Sequence, residues 1–249
     1  MCGRYASSRT AGELVDEFDV ASSRVPTELA ASWNVAPTDE VYVVVERGHD
    51  DAPPERQLRS ARWGLVPSWS KDASGAARMI NARMETLAER PAYRQAFAKR
   101  RCLVPADGYY EWYATSQVVT GPGSKSRPVK QPFFIRPDDE GVLAMAGLYE
   151  FWADPAKERD DPTRWLWSCT VITTAAEDAL GRIHERMPLM VERDRWADWL
   201  DPTRPGTLDL LTPAMPGRLA AYPVRALVSN VRNDGPALVE PLPLEEALT

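Results

Sequence analysis

The most reactive arrangement in this sequence lies at its second residue, where Cys2 follows Met1. An initiator methionine is normally removed when residue 2 is small, so we expect the mature chain to begin at Cys2. Its α-amino group and thiol then form a 1,2-aminothiol, which adds to an aldehyde as an imine and closes to a thiazolidine ring. With usual pKa values near ~7.7–8.0 and ~8.5, both groups are partly reactive at neutral pH. A small residue in a frayed terminus is the alternative that residue 2 alone leaves open.

The chain contains few cysteines and histidines, the residue types that most often form disulfides or bind zinc. The three cysteines form no paired motif, so we expect free thiols in a reducing compartment. Only His49 and His184 join them, and no zinc-ligand spacing appears. We therefore expect neither a metal nor another cofactor, and assign no function to His49.

Charge and hydropathy narrow the class of protein further. The formal net charge is −6, which argues against a generally basic surface but permits a local basic groove. No apolar run approaches the roughly 20 residues that span a bilayer. The N-terminus lacks a charged-then-apolar signal. We expect a monomeric cytoplasmic protein that does not enter membranes.

The pattern along the chain predicts an α+β fold around antiparallel sheet. Residues 10–13 form a capping box that opens a short helix. The β-branched run 41–46 and residues 131–136, 142–152 and 165–173 predict strands. Residues 115–131 predict a mobile hairpin-like loop, 154–163 a second polar loop, 174–180 a short helix and 222–228 a late strand. No repeat or linker divides the chain.

Several segments combine polar side chains with aromatic residues, Gly or Pro in ways that plain core strands do not. Glu111 lies between two aromatic residues, and His184 is the only histidine in an ordered-looking context. The segments are 32–38, 63–69, 81–86, 101–112 and 183–188.

Each of these segments also has a purely structural interpretation. Asn34 can cap a turn, and the tryptophans can be core residues. Asn81 and Arg83 can be solvated strand residues. Glu111 can form a surface ion pair, and His184 can be a buried, hydrogen-bonded imidazole.

Taken in order, the segments resemble the SRAP family, the SOS-response-associated peptidase-like proteins. The resemblance covers nearly the whole chain, and motifs in register from residue 2 onwards make it specific. The motifs are MCGRY, NVAP, WG, NAR, PADG, YEW, TTAA, IHERMP and VSNVRN, beginning at residues 1, 34, 63, 81, 105, 110, 173, 183 and 228. The resemblance implies a single domain over residues 1–249 with Met1 removed. Its fold would be a twisted antiparallel barrel-like sheet core with flanking short helices.

The resemblance also implies a function in DNA damage. The family traps abasic sites in single-stranded DNA through a thiazolidine crosslink between Cys2 and the sugar aldehyde, which shields the lesion. The implied partner is single-stranded DNA with abasic sites, which would bring the cytoplasmic protein to the nucleoid. The family was first proposed to be autoproteolytic peptidases, so hydrolase and lyase-like activities are also implied.

Roles follow for the matching positions. Cys2 supplies amine and thiol, Asn81 holds the sugar or the amine, Glu111 shuttles protons and His184 opens the sugar to its aldehyde. A second set is expected at DNA, with arginines on phosphates, tryptophans under bases and an asparagine that orients the site. These residues are Arg4, Asn34, Trp69, Arg83, Trp112 and Arg186.

Two other functions stay open on the sequence alone. The first is a cysteine peptidase or autopeptidase with Cys2 as N-terminal nucleophile, although no orienting Asp or Asn is evident for His184. The second is a non-covalent reader of single-stranded DNA or modified bases.

Overall fold

The computed structural model describes residues 2–48, 53–119, 126–176, 178–213, 217–243 and 245–247. Its helices are α1 (Ala11–Glu17), α2 (Arg94–Lys99) and α3 (Trp196–Leu200). The described strands are β1 (Tyr5–Ser7), β2 (Ser22–Ser23), β3 (Ser32–Val35), β4 (Glu40–Arg47), β5 (Glu55–Trp63), β6 (Asn81–Arg83), β7 (Arg101–Ala106), β8 (Gly108–Val119), β9 (Arg127–Pro137), β10 (Leu143–Ala153), β11 (Trp165–Ala175), β12 (Arg186–Pro188) and β13 (Leu219–Pro223).

The strands form two sheets. The smaller has the order β13-β9-β8-β1-β3, and the larger has the order β12-β11-β10-β7-β4-β5-β2. Strand β5 also pairs in parallel with β11 through Arg62 and Trp63, so β4, β5, β11, β10 and β7 close into a barrel. Strand β6 pairs with β11 next to this contact. The α+β class and the barrel-like antiparallel core predicted from the sequence are confirmed.

Successive side chains of a barrel strand point to opposite faces, so each strand contributes residues to two hydrophobic cores. In β4, Val41, Val43 and Val45 enter the core shared with the smaller sheet, which also contains Cys2. Their neighbours enter a second core, which the three helices cover. Strands buried on both faces explain the continuous apolar run at residues 41–45.

Local sequence determines several element ends. The capping box at Thr10 is confirmed: its hydroxyl accepts from the Glu13 amide at 3.2 Å, and its own amide donates to the Glu13 carboxylate at 2.8 Å. Gly64 ends β5 at a φ of 134°, and a Cβ there would lie 2.6 Å from the Ala76 carbonyl oxygen. This glycine therefore allows the close approach of the loop that carries Trp69.

Three local predictions need correction. The hairpin-like loop predicted at 115–131 is shorter than expected, because β8 and β9 pair with each other out to Val119 and Arg127; residues 120–125 lie outside the described part. The predicted helix 174–180 is the end of β11 followed by a 3₁₀ turn at Asp178–Arg182. The late strand ends at Pro223 rather than at 228, and Ala226–Ser229 is a 3₁₀ turn.

The three cysteines are free and buried. Among the described residues, no three metal-binding side chains gather into a cluster. No described helix has both the length and the apolar character needed to cross a membrane. Met1 and His49 lie outside the described residues.

Candidate functional site

Cys2 lies between the two sheets, just before β1. The pairing of Tyr5 with Tyr109 sets the register of β1 on β8. The Tyr110 amide donates to the Arg4 carbonyl at 3.0 Å, so the chain at residues 2–3 runs beside Glu111. The Cys2 side chain is fully buried, with Sγ 3.8 Å from the Arg4 carbonyl oxygen. Burial, assisted by the Glu111 charge, raises the pKa of the Cys2 thiol, so the sulfur is protonated at neutral pH.

Asn81 fixes the backbone of Cys2. It begins β6, which lies along β11 opposite Val171. Its Nδ2 donates to the Cys2 carbonyl oxygen at 2.6 Å. Its Oδ1 is buried and has no hydrogen-bond partner among the described residues. The amide thus holds residue 2 with one end and offers an acceptor with the other.

Glu111 is the buried acid of the site. It follows Tyr109 by two residues on β8, so both side chains lie on the same face of the strand. Its side chain is 3% exposed, and burial raises its pKa to about 7. Near neutral pH the carboxyl is therefore divided between its acidic and basic forms, as proton transfer in both directions requires.

His184 lies in the turn before β12. Its Nδ1 accepts a hydrogen bond from the Arg186 backbone amide at 3.0 Å. The Arg186 carbonyl oxygen lies 3.3 Å from the same Nδ1, so the tautomer of the ring decides which of these two backbone groups Nδ1 binds. Burial lowers the pKa of His184, which favours the neutral form at pH 7. In the tautomer whose Nδ1 accepts from the Arg186 amide, the ring proton lies on Nε2.

Arg186 is engaged within the protein. Its Nη1 and Nη2 donate to both carboxylate oxygens of Glu85, at 2.5 and 3.0 Å, and Nη2 also donates to the Thr173 carbonyl at 2.5 Å. This bidentate pair ties the turn carrying His184 to the end of β6.

Arg4 and Asn34 form a second internal network. Arg4 Nη1 donates to Asn34 Oδ1 at 2.6 Å and to the Val228 carbonyl at 3.0 Å. Asn34 Nδ2 donates to three carbonyls of the segment 228–233. The Asn34 side chain is only 4% exposed, so it anchors this segment.

The remaining predicted DNA residues lie at the surface. Trp69 is 68% exposed, and Arg83 is exposed at the end of β6. Both line a cleft of about 430 Å³ together with Asn81, Arg90 and Tyr93. Trp112 is half-buried on β8, and its Nε1 donates to the Ser229 hydroxyl at 3.1 Å.

A family model described as SOS response associated peptidase (SRAP) matches residues 1–231. This chain belongs to the SRAP family. The abasic site processing protein YoqW of Bacillus subtilis (strain 168) is 33% identical over 243 residues, which cover 96% of this chain and 99% of that protein. The abasic site processing protein HMCES of Gallus gallus is 32% identical over 272 residues, covering 98% of this chain and 79% of its own. The family resemblance of the motifs is therefore confirmed.

Solved structures share the SRAP fold. A protein from Bacteroides thetaiotaomicron superposes with a TM-score of 0.76 at 24% identity, over 97% of this chain and 100% of its own. A protein from Bordetella bronchiseptica superposes with a TM-score of 0.68 at 26% identity, over 90% of this chain and 100% of its own.

The site also contains residues that the SRAP motifs did not indicate. Arg90 and Tyr93 line the cleft, and neither belongs to one of the motifs. Lys130 acts electrostatically on both Glu111 and His184. Lys130 lies within the range predicted to be a loop, so the local sequence did not indicate that this residue pairs with β8 close to Trp112.

Proposed function

We propose that this protein processes abasic sites in single-stranded DNA by forming a covalent thiazolidine between Cys2 and the sugar aldehyde. The observation that carries the proposal is the packing of Cys2 against a buried carboxyl and an amide that holds its carbonyl. Two curated relatives named abasic site processing protein, aligned along nearly the whole chain, support it.

The reaction balances with one water released. After removal of Met1, the Cys2 amine adds to C1′ of the open sugar and gives a carbinolamine. Loss of the hydroxyl group with one proton, as water, leaves an imine. The sulfur then adds to C1′, the C=N electron pair moves to nitrogen, and the thiol proton follows it. The buried thiol is protonated and so a weak nucleophile, which favours attack by the amine first.

Two groups carry the protons in this scheme. Glu111 gives a proton to the departing hydroxyl and carries the thiol proton to nitrogen during ring closure, because its pKa lies near neutrality. His184 donates from Nε2 to the ring oxygen of the closed sugar and so opens it to the aldehyde. The Asn81 Oδ1, which lacks a described partner, accepts a hydrogen bond from the Cys2 amine or a sugar hydroxyl.

The predicted DNA residues divide into two groups under this proposal. Trp69 and Trp112 stack bases, and Arg83 binds a phosphate, since all three have exposed surface next to the site. We propose a positioning role for the other three residues, which for Asn34 is the role expected from the sequence. Arg186 is paired with Glu85, and Arg4 and Asn34 bind each other and segment 228–233, so these side chains position the site.

Aldehyde dependence tests the proposal. Three otherwise identical single strands carry an abasic site, an intact base or a borohydride-reduced abasic site. We expect an adduct resistant to denaturation with the first strand only. A peptidase would form none with any strand, and a non-covalent reader would bind without surviving denaturation. The matched variant Cys2→Ser keeps the amine and should give only a reversible imine; an adduct as stable as that of the wild type would contradict the aminothiol mechanism.

A further inference from the structure

Beyond Trp112, β8 and β9 form a two-stranded ribbon. Ala114 pairs with Lys130, and Val119 pairs with Arg127 at the end of the described ladder. Most residues of the ribbon are exposed, and Val118 is 59% exposed. Two strands without a covering layer are only marginally stable in water, which favours a partner for the ribbon.

The ribbon differs in charge from the acidic chain around it. Residues 112–137 contain no Asp or Glu, whereas the whole chain carries a net charge of −6. Their basic residues are Lys125, Arg127, Lys130 and Arg136. Lys125 lies outside the described residues, and Arg136 pairs with Glu140. Arg127 and Lys130 form no ion pair with any described residue, so both cations are available to an anionic partner.

The ribbon begins at the candidate site. Trp112 pairs with Pro132, two residues from Lys130 along β9, so Trp112 and Lys130 lie on the same face of the ladder. Burial raises the pKa of Glu111 and lowers that of His184, and the Lys130 ammonium lowers both. Lys130 is therefore within electrostatic range of both proton-transfer groups while its side chain remains exposed.

We propose that Arg127 and Lys130 make the β8–β9 ribbon a second DNA-binding element, which holds backbone phosphates of the strand next to the abasic nucleotide. The inference rests on the proposed function and extends it from the abasic nucleotide to the neighbouring nucleotides of the same DNA strand. Arginine and lysine contacts to phosphates fix the position of a strand without reading its sequence. Single-stranded DNA whose bases stack on Trp112 would thus meet Lys130 first, on the same face of the ladder, and would reach Arg127, which alternation places on the other face, around the edge of the ribbon.

The test compares two double variants with the same loss of charge. Arg127→Ala/Lys130→Ala removes the ribbon cations. Lys99→Ala/Arg159→Ala removes exposed cations at the end of α2 and in the turn between β10 and β11. The readout is the anisotropy of a labelled single strand with intact bases over a range of salt concentrations. Circular dichroism confirms that both variants are folded.

We expect the ribbon variant to bind about tenfold more weakly at low salt and the slope of log K against log[salt] to fall by about 1.4, for two phosphates at ~0.7 each. The control variant should bind as the wild type does. Equal binding by the two variants would overturn the proposal. Because this strand carries no aldehyde, the result is independent of crosslinking: failure of the wild type to form an adduct with an abasic strand refutes the proposed function alone.

Discussion

At the scale of single residues, the buried carboxyl of Glu111 makes the folding stability of the protein depend on pH. Burial raises its pKa from 4.5 to about 7. Between these two pH values the folded chain therefore retains a proton that the unfolded chain releases. Stability is therefore lost as the pH rises through this range and stays lower above it. The Glu111→Gln variant carries a neutral amide, so it does not lose stability through ionisation of a buried carboxyl. We expect its free energy of unfolding, relative to wild type, to rise by up to about 3 kcal/mol between acidic and mildly alkaline pH in urea titrations.

Glu85 provides a control of opposite sign. Its hydrogen bond with Arg186 lowers the pKa of Glu85, so ionisation there favours the folded state. Glu85→Gln should lose stability relative to wild type once the pH exceeds the usual pKa of a glutamate. If Glu111→Gln showed the same direction as Glu85→Gln, the carboxyl of Glu111 would not be destabilised by burial.

His184 is expected to act on the sugar before Cys2 does. Its Nε2 proton can be donated to the ring oxygen, a step that a small open-chain aldehyde does not need. We expect His184→Ala to slow adduct formation with abasic DNA by about 10²-fold or more. The same variant should react with the small aldehyde at nearly the wild-type rate. Equal slowing with both aldehydes would instead make His184 a structural residue or one that stabilises the adduct.

The residues of the site were predictable from sequence to different degrees. Cys2 is indicated by its position at the start of the mature chain, whereas the raised pKa of Glu111 arises only from burial in the folded chain. The pairing of Arg186 with Glu85 joins residues 101 positions apart, and Asn34 binds a carbonyl 199 positions away. Only the folded chain brings such partners together, so a motif identifies these residues without showing whether they face DNA or another side chain.

At the scale of elements, the end of β5 positions the Trp69 loop. Gly64 has a φ of 134°, and a Cβ would meet the Ala76 carbonyl oxygen at 2.6 Å. We expect Gly64→Ala to lower the free energy of unfolding by about 1–3 kcal/mol and to weaken DNA binding through displacement of Trp69. Gly75→Ala, in the same loop, is the matched control, because its Cβ would meet only the Arg78 side chain at 4.0 Å.

Denaturant titration and anisotropy measure the two effects of Gly64→Ala. Equal stability of the two glycine variants would show that the loop adjusts without strain. Normal DNA binding by an otherwise destabilised Gly64→Ala would separate the loop from the DNA site.

Elements with a local signature were the ones predicted best. The Thr10 capping box is complete within four residues, and β4 has a continuous apolar run rich in Val. Residues 115–131 have the Gly, Ser, Pro and Lys content of a loop, yet strands extend into both ends of this range. Their pairing partner is the other strand of the ribbon, and composition within one segment does not report that pairing.

At the scale of the whole molecule, an acidic chain presents a local basic surface. The net charge of −6 is distributed so that Arg83 lines the cleft and Arg127 and Lys130 lie on the ribbon. Barrel closure through β5 and β11 brings Asn81, 79 residues further along the chain, against Cys2. The candidate site therefore depends on the complete fold, whereas the nucleophile that we propose depends on where the mature chain begins.

The central claim is that both nucleophiles of Cys2 end in one ring with the abasic sugar. Mass spectrometry of the N-terminal peptide, released by proteolysis and nuclease digestion of the adduct, tests it directly. We predict a peptide that begins at Cys2, carries the sugar remnant with the loss of one water, and resists alkylation at sulfur because no free thiol remains. A peptide that retains Met1, or an adduct whose Cys2 thiol can still be alkylated, would contradict the account.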